Sequence, residues 1–167
     1  SENRFVFTDV ASGDGVISLD ASDPSEVMDV VAANGVDVII NCAGYTDVNK
    51  AETDEDTARK LNVGLAAVLA AAAKEAGAVL IHISTDYVFD GRSSVPYVET
   101  DAPAPLGAYA RTKLEGEKAV IDSGCRYIII RTAWMYSCYG NNFFKTMESL
   151  TSSMPSVNVV MDQVGTP

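Results

Sequence analysis

At 167 residues the chain has the size of one ordinary domain, enough to bury about two-thirds of the surface its unfolded form exposes. Apolar residues make up 47% and charged residues 21%, the balance of a soluble globular protein. The net charge of −11 repels phosphate backbones and anionic lipid, so neither nucleic acid nor membrane is an expected partner. An anionic nucleotide is compatible with that charge where backbone amides and a few local cations hold it. The longest apolar stretches, such as residues 64–73, are too short and too rich in alanine to span a bilayer. No signal peptide opens the chain. Cys42, Cys125 and Cys138 are odd in number, lack metal-ligand spacing and suit a reducing, cytoplasmic compartment.

Strand and helix patterns then alternate. Residues 4–8 and 16–19 read as short strands. Gly13-Asp14-Gly15 between them reads as a polar turn, too short for a dinucleotide fingerprint and followed by no helix. Asp23-Pro24-Ser25-Glu26 is a helix start, with a carboxylate cap and proline at the first helical position, and the helix stops at Gly35. Residues 36–41 form a continuous apolar run, as expected of a strand buried on both faces of a parallel sheet. A long alanine-rich helix is expected over residues 53–76, closed by Gly77, and a second buried strand over 79–84. The lone histidine, His82, falls inside that strand. It supports neither a metal site nor a histidine-based triad and reads as structural.

Residues 91–107, with Pro96, Pro103 and Pro105, read as an ordered loop. A helix follows to Gly124, then a strand over 127–131, a helix over 142–152 and a last strand over 157–161. Such alternation specifies an α/β fold, a doubly wound parallel sheet of the Rossmann-like kind with helices on both faces. It is expected to be a partial domain over residues 1–167: it opens at what reads as the second strand and closes before any substrate-capping domain.

Within this frame Tyr109 and Lys113 lie four residues apart on one helix, hence on one face and one turn apart. A tyrosine holds its proton up to a pKa of about 10. A neighbouring ammonium is expected to lower that value toward the working pH, fitting the phenol to exchange a proton with a carbonyl oxygen or an alcohol. Ser84-Thr85-Asp86 and Arg131-Thr132-Ala133-Trp134 flank the pair. Thr46, Thr85, Asp86 and Trp134 all fall just beyond strand ends, where open parallel sheets bind ligands.

The motifs that carry a family resemblance are the run from Asn41 to Glu52 (NCAGYTDVNKAE), the run from Ile83 to Gly91 (ISTDYVFDG), the Tyr109/Lys113 helix and Arg131 to Tyr136 (RTAWMY). On them the chain resembles the extended short-chain dehydrogenase/reductases, and among these the dTDP-4-dehydrorhamnose reductase family. The resemblance extends over nearly the whole chain. It implies an NAD(P)H-dependent oxidoreductase that reduces the 4-keto group of dTDP-4-dehydro-L-rhamnose, a nucleotide sugar, to dTDP-L-rhamnose. Tyr109 would be the proton donor, with Lys113 tuning it and holding the nicotinamide ribose, and Thr85 would hydrogen-bond the substrate oxygen. Thr46, Asp86 and Trp134 match substrate-contacting positions. Asp20 and Ala21 match the adenine side of the cofactor site, and Ala43, Gly44 and Tyr45 the strand end along the dinucleotide.

Asp9 ends the first strand, where a carboxylate would hydrogen-bond a ribose 2′-hydroxyl and favour NADH over NADPH; the choice of nicotinamide stays open. So do a homodimer and a divalent ion. The chain by itself is expected to be inactive. Two alternatives share the scaffold: a non-catalytic regulatory subunit like that of methionine adenosyltransferase, and a nucleotide-sugar epimerase or dehydratase. Thr85 and Trp134 favour the reductase over the first, and the motif from Ser84 to Gly91 favours it over the second.

Overall fold

The alternation of strand and helix builds parallel ladders. The fold is that of a computed structural model, whose description covers residues 4–165. Strand β1 (Phe7–Asp9) pairs in parallel with β2 (Val16–Ser18), Phe7 opposite Val16. The turn between them is the polar one expected, with the Val16 N–H donating to the Gly13 carbonyl at 3.1 Å. Helix α1 (Pro24–Asn34) starts on the Asp23 carboxylate, which accepts the Ser25 and Glu26 N–H groups at 2.8 and 3.2 Å. It ends where Gly35 turns left-handed at φ +58°, a conformation that glycine reaches without steric cost.

Strand β3 (Val38–Asn41) pairs in parallel with β4 (Val79–Thr85), Val38 opposite Val79 and Asn41 opposite His82. With β5 (Arg126–Thr132) the order is β3-β4-β5, a ladder separate from that of β1 and β2. Between β3 and β4 run a 3-10 turn (Lys50–Glu52), α2 (Glu55–Arg59), a π turn (Lys60–Gly64) and α3 (Leu65–Ala76). The single long helix expected there thus carries a π turn at its middle. After β4 come a 3-10 turn (Asp86–Val88), α4 (Ala108–Ser123), and, beyond β5, α5 (Phe143–Ser153). The chain divides after Ile130 into two compact units, with α5 in the second.

One core joins α1, α3, α4 and the β3-β4-β5 ladder. Leu80 of β4 meets Val27 and Val31 of α1, Leu65, Leu69 and four alanines of α3, and Val120 of α4, with Ile39 and Ile129 packed against them. The opposite face of the strands differs from expectation. Val38 and Ile40 are 48% and 53% exposed, and Ile128 and Ile130 are exposed as well. The run over 36–41 is therefore covered on one face only among the described residues, because its core-side residue Ile39 takes the contact with the helices. The strand expected over 157–161 does not form either. Four of those five residues are apolar, yet among the described residues they find no ladder partner, and Val160 and Met161 are exposed. Strand propensity alone makes no hydrogen bonds.

Helix α4 crosses the π turn at Gly116. A Cβ there would stand 2.3 Å from the Asn62 backbone oxygen. Deeper in the core, His82 is 1% exposed; its Nδ1 accepts from the Asn41 amide at 3.0 Å, while Nε2 has no partner among the described residues. Burial, and then the charge of Lys113, push the imidazole pKa down to about 4, with Glu117 opposing.

Two outcomes follow from this packing. Gly116→Ala gains roughly 1 kcal/mol of helix propensity. It must also drive α4 off the π turn, and overpacking costs about 1–3 kcal/mol. A lower urea midpoint is expected; an equal or higher one would show that the two helices do not meet in this way. For His82, the folded pKa lies below the unfolded value of 6.5, so as pH falls the unfolded state takes up the proton first. The contribution is complete above the unfolded pKa and is lost between it and about 4, at up to ~1.4 kcal/mol per pH unit. Between pH 7 and 5 the parent should lose roughly 2 kcal/mol more in urea unfolding than His82→Gln. Equal losses would mean that His82 is not buried in its neutral form.

Candidate active site

Helix α4 begins at a fixed point. Gly107 has no side chain with which to cap it, and the Glu52 carboxylate does so instead, accepting the Ala108 N–H at 2.6 Å. A Cβ on Gly107 would meet that carboxylate at 2.7 Å. Tyr109 follows directly and packs, like Tyr45, against the buried alanines Ala51, Ala58 and Ala108. The loop after β3 and the first turn of α4 therefore share one small apolar cluster.

Asn62 ties that loop to α4. Its Oδ1 accepts the Tyr45 N–H at 2.9 Å, and its Nδ2 donates to Thr112 Oγ1 at 2.9 Å. The Thr112 hydroxyl donates in turn to the Tyr109 carbonyl at 3.0 Å. Gly44 lies in the same angle: a Cβ on it would be 2.9 Å from Asn62 Oδ1 and 3.9 Å from Lys113 Nζ. Lys113 is buried, and its ammonium donates to the Ile83 carbonyl of β4 at 2.7 Å. Burial lowers its pKa from the ordinary lysine value, and Glu117 opposes this.

The Tyr109 phenol differs from expectation in one respect. Its pKa is raised, with burial the largest cause, the Thr85 hydrogen bond opposing, and Asp86 and Tyr87 adding to the rise. The lowering expected from Lys113 is not among the causes, and burial outweighs the Thr85 hydrogen bond. A raised value keeps the phenol loaded with its proton at neutral pH, which is the state a proton donor needs. Tyr87 meets the Tyr109 ring edge-on, with centroids 5.9 Å apart. Thr85 is buried; its Oγ1 accepts the Tyr87 N–H at 3.2 Å and donates to Asp86 Oδ1 at 3.3 Å. Asp86 and Thr46 are exposed.

Other expected residues make contacts of their own. Asp9 ends β1 and accepts the Ala11 N–H at 3.0 Å. Asp20 accepts the Ser22 N–H and hydroxyl at 2.9 and 2.7 Å, which lowers its pKa, so its carboxylate shapes a turn. Ala21 packs against the core. Trp134 belongs to the second unit. It is the one described non-glycine residue in the left-handed region, at φ +46°, and its ring lies 3.4 Å from where a Cβ on Gly165 would be. Holding a tryptophan there costs about 1–2 kcal/mol. Among the described residues no group of three His, Cys, Asp or Glu side chains is placed to hold a metal ion, so the divalent ion left open by the sequence finds no ligand set there. No helix of the described residues is long and apolar enough to cross a membrane.

Sequence reasoning missed Glu52, Asn62, Thr112 and Glu117. Asn62 had a signal: a poor helix former between Leu61 and Val63 in an alanine-rich helix. Glu117 repeats the four-residue spacing of Tyr109 and Lys113. Glu52 and Thr112 had none, because their partners are distant in the chain or on the backbone.

Comparison with known proteins agrees with this geometry. A family described as RmlD substrate binding domain matches residues 3–167. The dTDP-4-dehydrorhamnose reductase of Salmonella typhimurium is 45% identical over 148 residues, 89% of this chain and 50% of that protein. A crystal structure of a dTDP-4-dehydrorhamnose reductase from Clostridium acetobutylicum superposes with a TM-score of 0.86 at 44% identity, covering 91% of this chain and 56% of that one. The Bacillus anthracis dTDP-4-dehydrorhamnose reductase, solved in complex with NADP, gives a TM-score of 0.79 at 42% identity, covering 81% and 48%. The chain spans about half the length of the curated relatives it matches. A match that runs almost from end to end, over a parallel α/β core, places the chain in the RmlD substrate binding domain family, with its kinship among the dTDP-4-dehydrorhamnose reductases.

Proposed function

We propose that the protein to which this chain belongs reduces the 4-keto group of dTDP-4-dehydro-L-rhamnose with NADPH or NADH. The observation that carries the reading is Tyr109, half-buried beside Thr85 and one turn from the buried Lys113 ammonium, at the carboxyl ends of parallel strands. The residues present fit a nicotinamide dinucleotide. Gly44 leaves the backbone bare beside Lys113 Nζ, where a side chain would close the space. Ala43, Gly44, Tyr45, Tyr109 and Lys113 would hold the reactive end, with Asp9, Asp20 and Ala21 toward the adenosine. That a Bacillus anthracis relative was solved in complex with NADP supports a nicotinamide dinucleotide as the class of cofactor. Bound there, the cofactor supplies a hydride to the carbonyl carbon.

The chain's own residues then handle the oxygen. Negative charge develops on it as the carbon is reduced, and Tyr109 gives it the phenolic proton. Thr85, hydrogen-bonded to the phenol, orients the same oxygen. The Lys113 ammonium offsets the charge of the phenolate left behind, until the phenol takes a proton from water. Thr46 and Asp86 are the residues we assign to the sugar nucleotide.

Tyr109→Phe removes one oxygen and leaves the ring contacts with Tyr87 and the alanine cluster in place. In the full-length protein it should cut kcat by on the order of a hundred- to ten-thousand-fold, roughly 3 to 5 kcal/mol of barrier. The assay follows the loss of nicotinamide absorbance with dTDP-4-dehydrorhamnose. Near-parental kcat in protein with a normal thermal transition would remove Tyr109 as the donor.

A further inference from the structure

One buried ionisable group has no part in the chemistry above. Glu117 is 2% exposed and lies one helical turn beyond Lys113 on the same face of α4. The two side chains reach consecutive residues of β4. Lys113 Nζ donates to the Ile83 carbonyl at 2.7 Å, and the Ser84 hydroxyl donates to Glu117 Oε1 at 2.5 Å. We infer that Glu117 is a positioning residue for Lys113, a buried carboxylate clamped to β4 by Ser84 whose charge keeps the neighbouring ammonium charged and seated on the strand.

The reasoning turns on what charge alone supplies. A buried carboxylate is costly unless it is paired and hydrogen-bonded. Glutamine would accept the Ser84 hydroxyl equally well, so that bond does not call for an acid. Attraction to a buried ammonium does. Burial pulls Lys113 toward the neutral amine, and Glu117 is the opposing influence. Near the pair, His82 on the same face of β4 stays neutral and feels both charges. Tyr109 lies one turn before Lys113, with Asp86 and Tyr87 in the turn after β4 acting on it. At the surface of α2 and α4, Arg59 pairs with Glu55 and Glu115, and Arg111 with Glu55.

The consequence for turnover rests on the reductase reading, but the relation between the two residues does not. The test therefore reads Lys113 directly. In full-length protein labelled with carbon-13 lysine, the Lys113 signal is identified by its loss in Lys113→Arg and titrated with pH by NMR. Glu117→Gln should shift the Lys113 pKa down by about one unit or more, the effect of removing an adjacent opposite charge. The alkaline limb of kcat should move to lower pH with it. An unchanged Lys113 titration in folded Glu117→Gln overturns the inference, whatever the activity. A shifted titration in a protein with no reductase turnover would sustain it and sink the reductase reading instead. Should Glu117→Gln fail to fold, Ser84→Ala keeps the charge and removes the clamp. A smaller downward shift of Lys113 is then expected, and no shift overturns the inference.

Discussion

Helix α4 can present Tyr109 and Lys113 to the carboxyl ends of the strands because it lies hard against the backbone of Asn62, and it can lie there because residue 116 has no side chain. That approach brings the Asn62 amide within reach of two partners. One is the Tyr45 N–H in the loop after β3, and the other is Thr112 on α4 itself. The π turn matters here, since a helix widened by one residue at Lys60–Gly64 re-aims the side chain that makes the link. The Glu52 carboxylate fixes the start of the same helix. Two contacts, one at each end of the segment from Ala108 to Gly116, thus set where the phenol stands.

Burial then decides the charge states. Desolvation raises the Tyr109 pKa and lowers that of Lys113, so each group is biased toward its neutral form. For the phenol that bias is useful, because a donor must hold its proton until the oxygen needs it. For the amine it is a liability, which the carboxylate of Glu117 counters. The opposite needs of two adjacent groups explain why an acid, and not an amide, is buried beneath the site.

The local signals in the sequence were legible. The first long helix announced both of its ends, through Asp23-Pro24-Ser25-Glu26 and Gly35, because caps depend on neighbours in the chain. Parallel order followed from the alternation of elements. The Tyr109–Lys113 spacing and the motif around Thr85 marked two segments that the structure brings together, at the start of α4 and the end of β4. What failed were the properties that depend on distant partners. The apolar run over 157–161 looks like a strand but has no ladder to join, and residues 38 and 40 are apolar without being covered. The direction of the Tyr109 pKa was read from its spacing to Lys113, whereas burial is its largest cause.

The central claim is that the fold keeps Tyr109 protonated, as a donor to a carbonyl oxygen must be. An ultraviolet difference titration of the full-length protein against Tyr109→Phe isolates this one phenol from the other tyrosines. Its ionisation is expected above the ordinary tyrosine value of about 10. Ionisation well below that value would contradict the claim, and would make Tyr109 a phenolate poised to take a proton in place of one poised to give it.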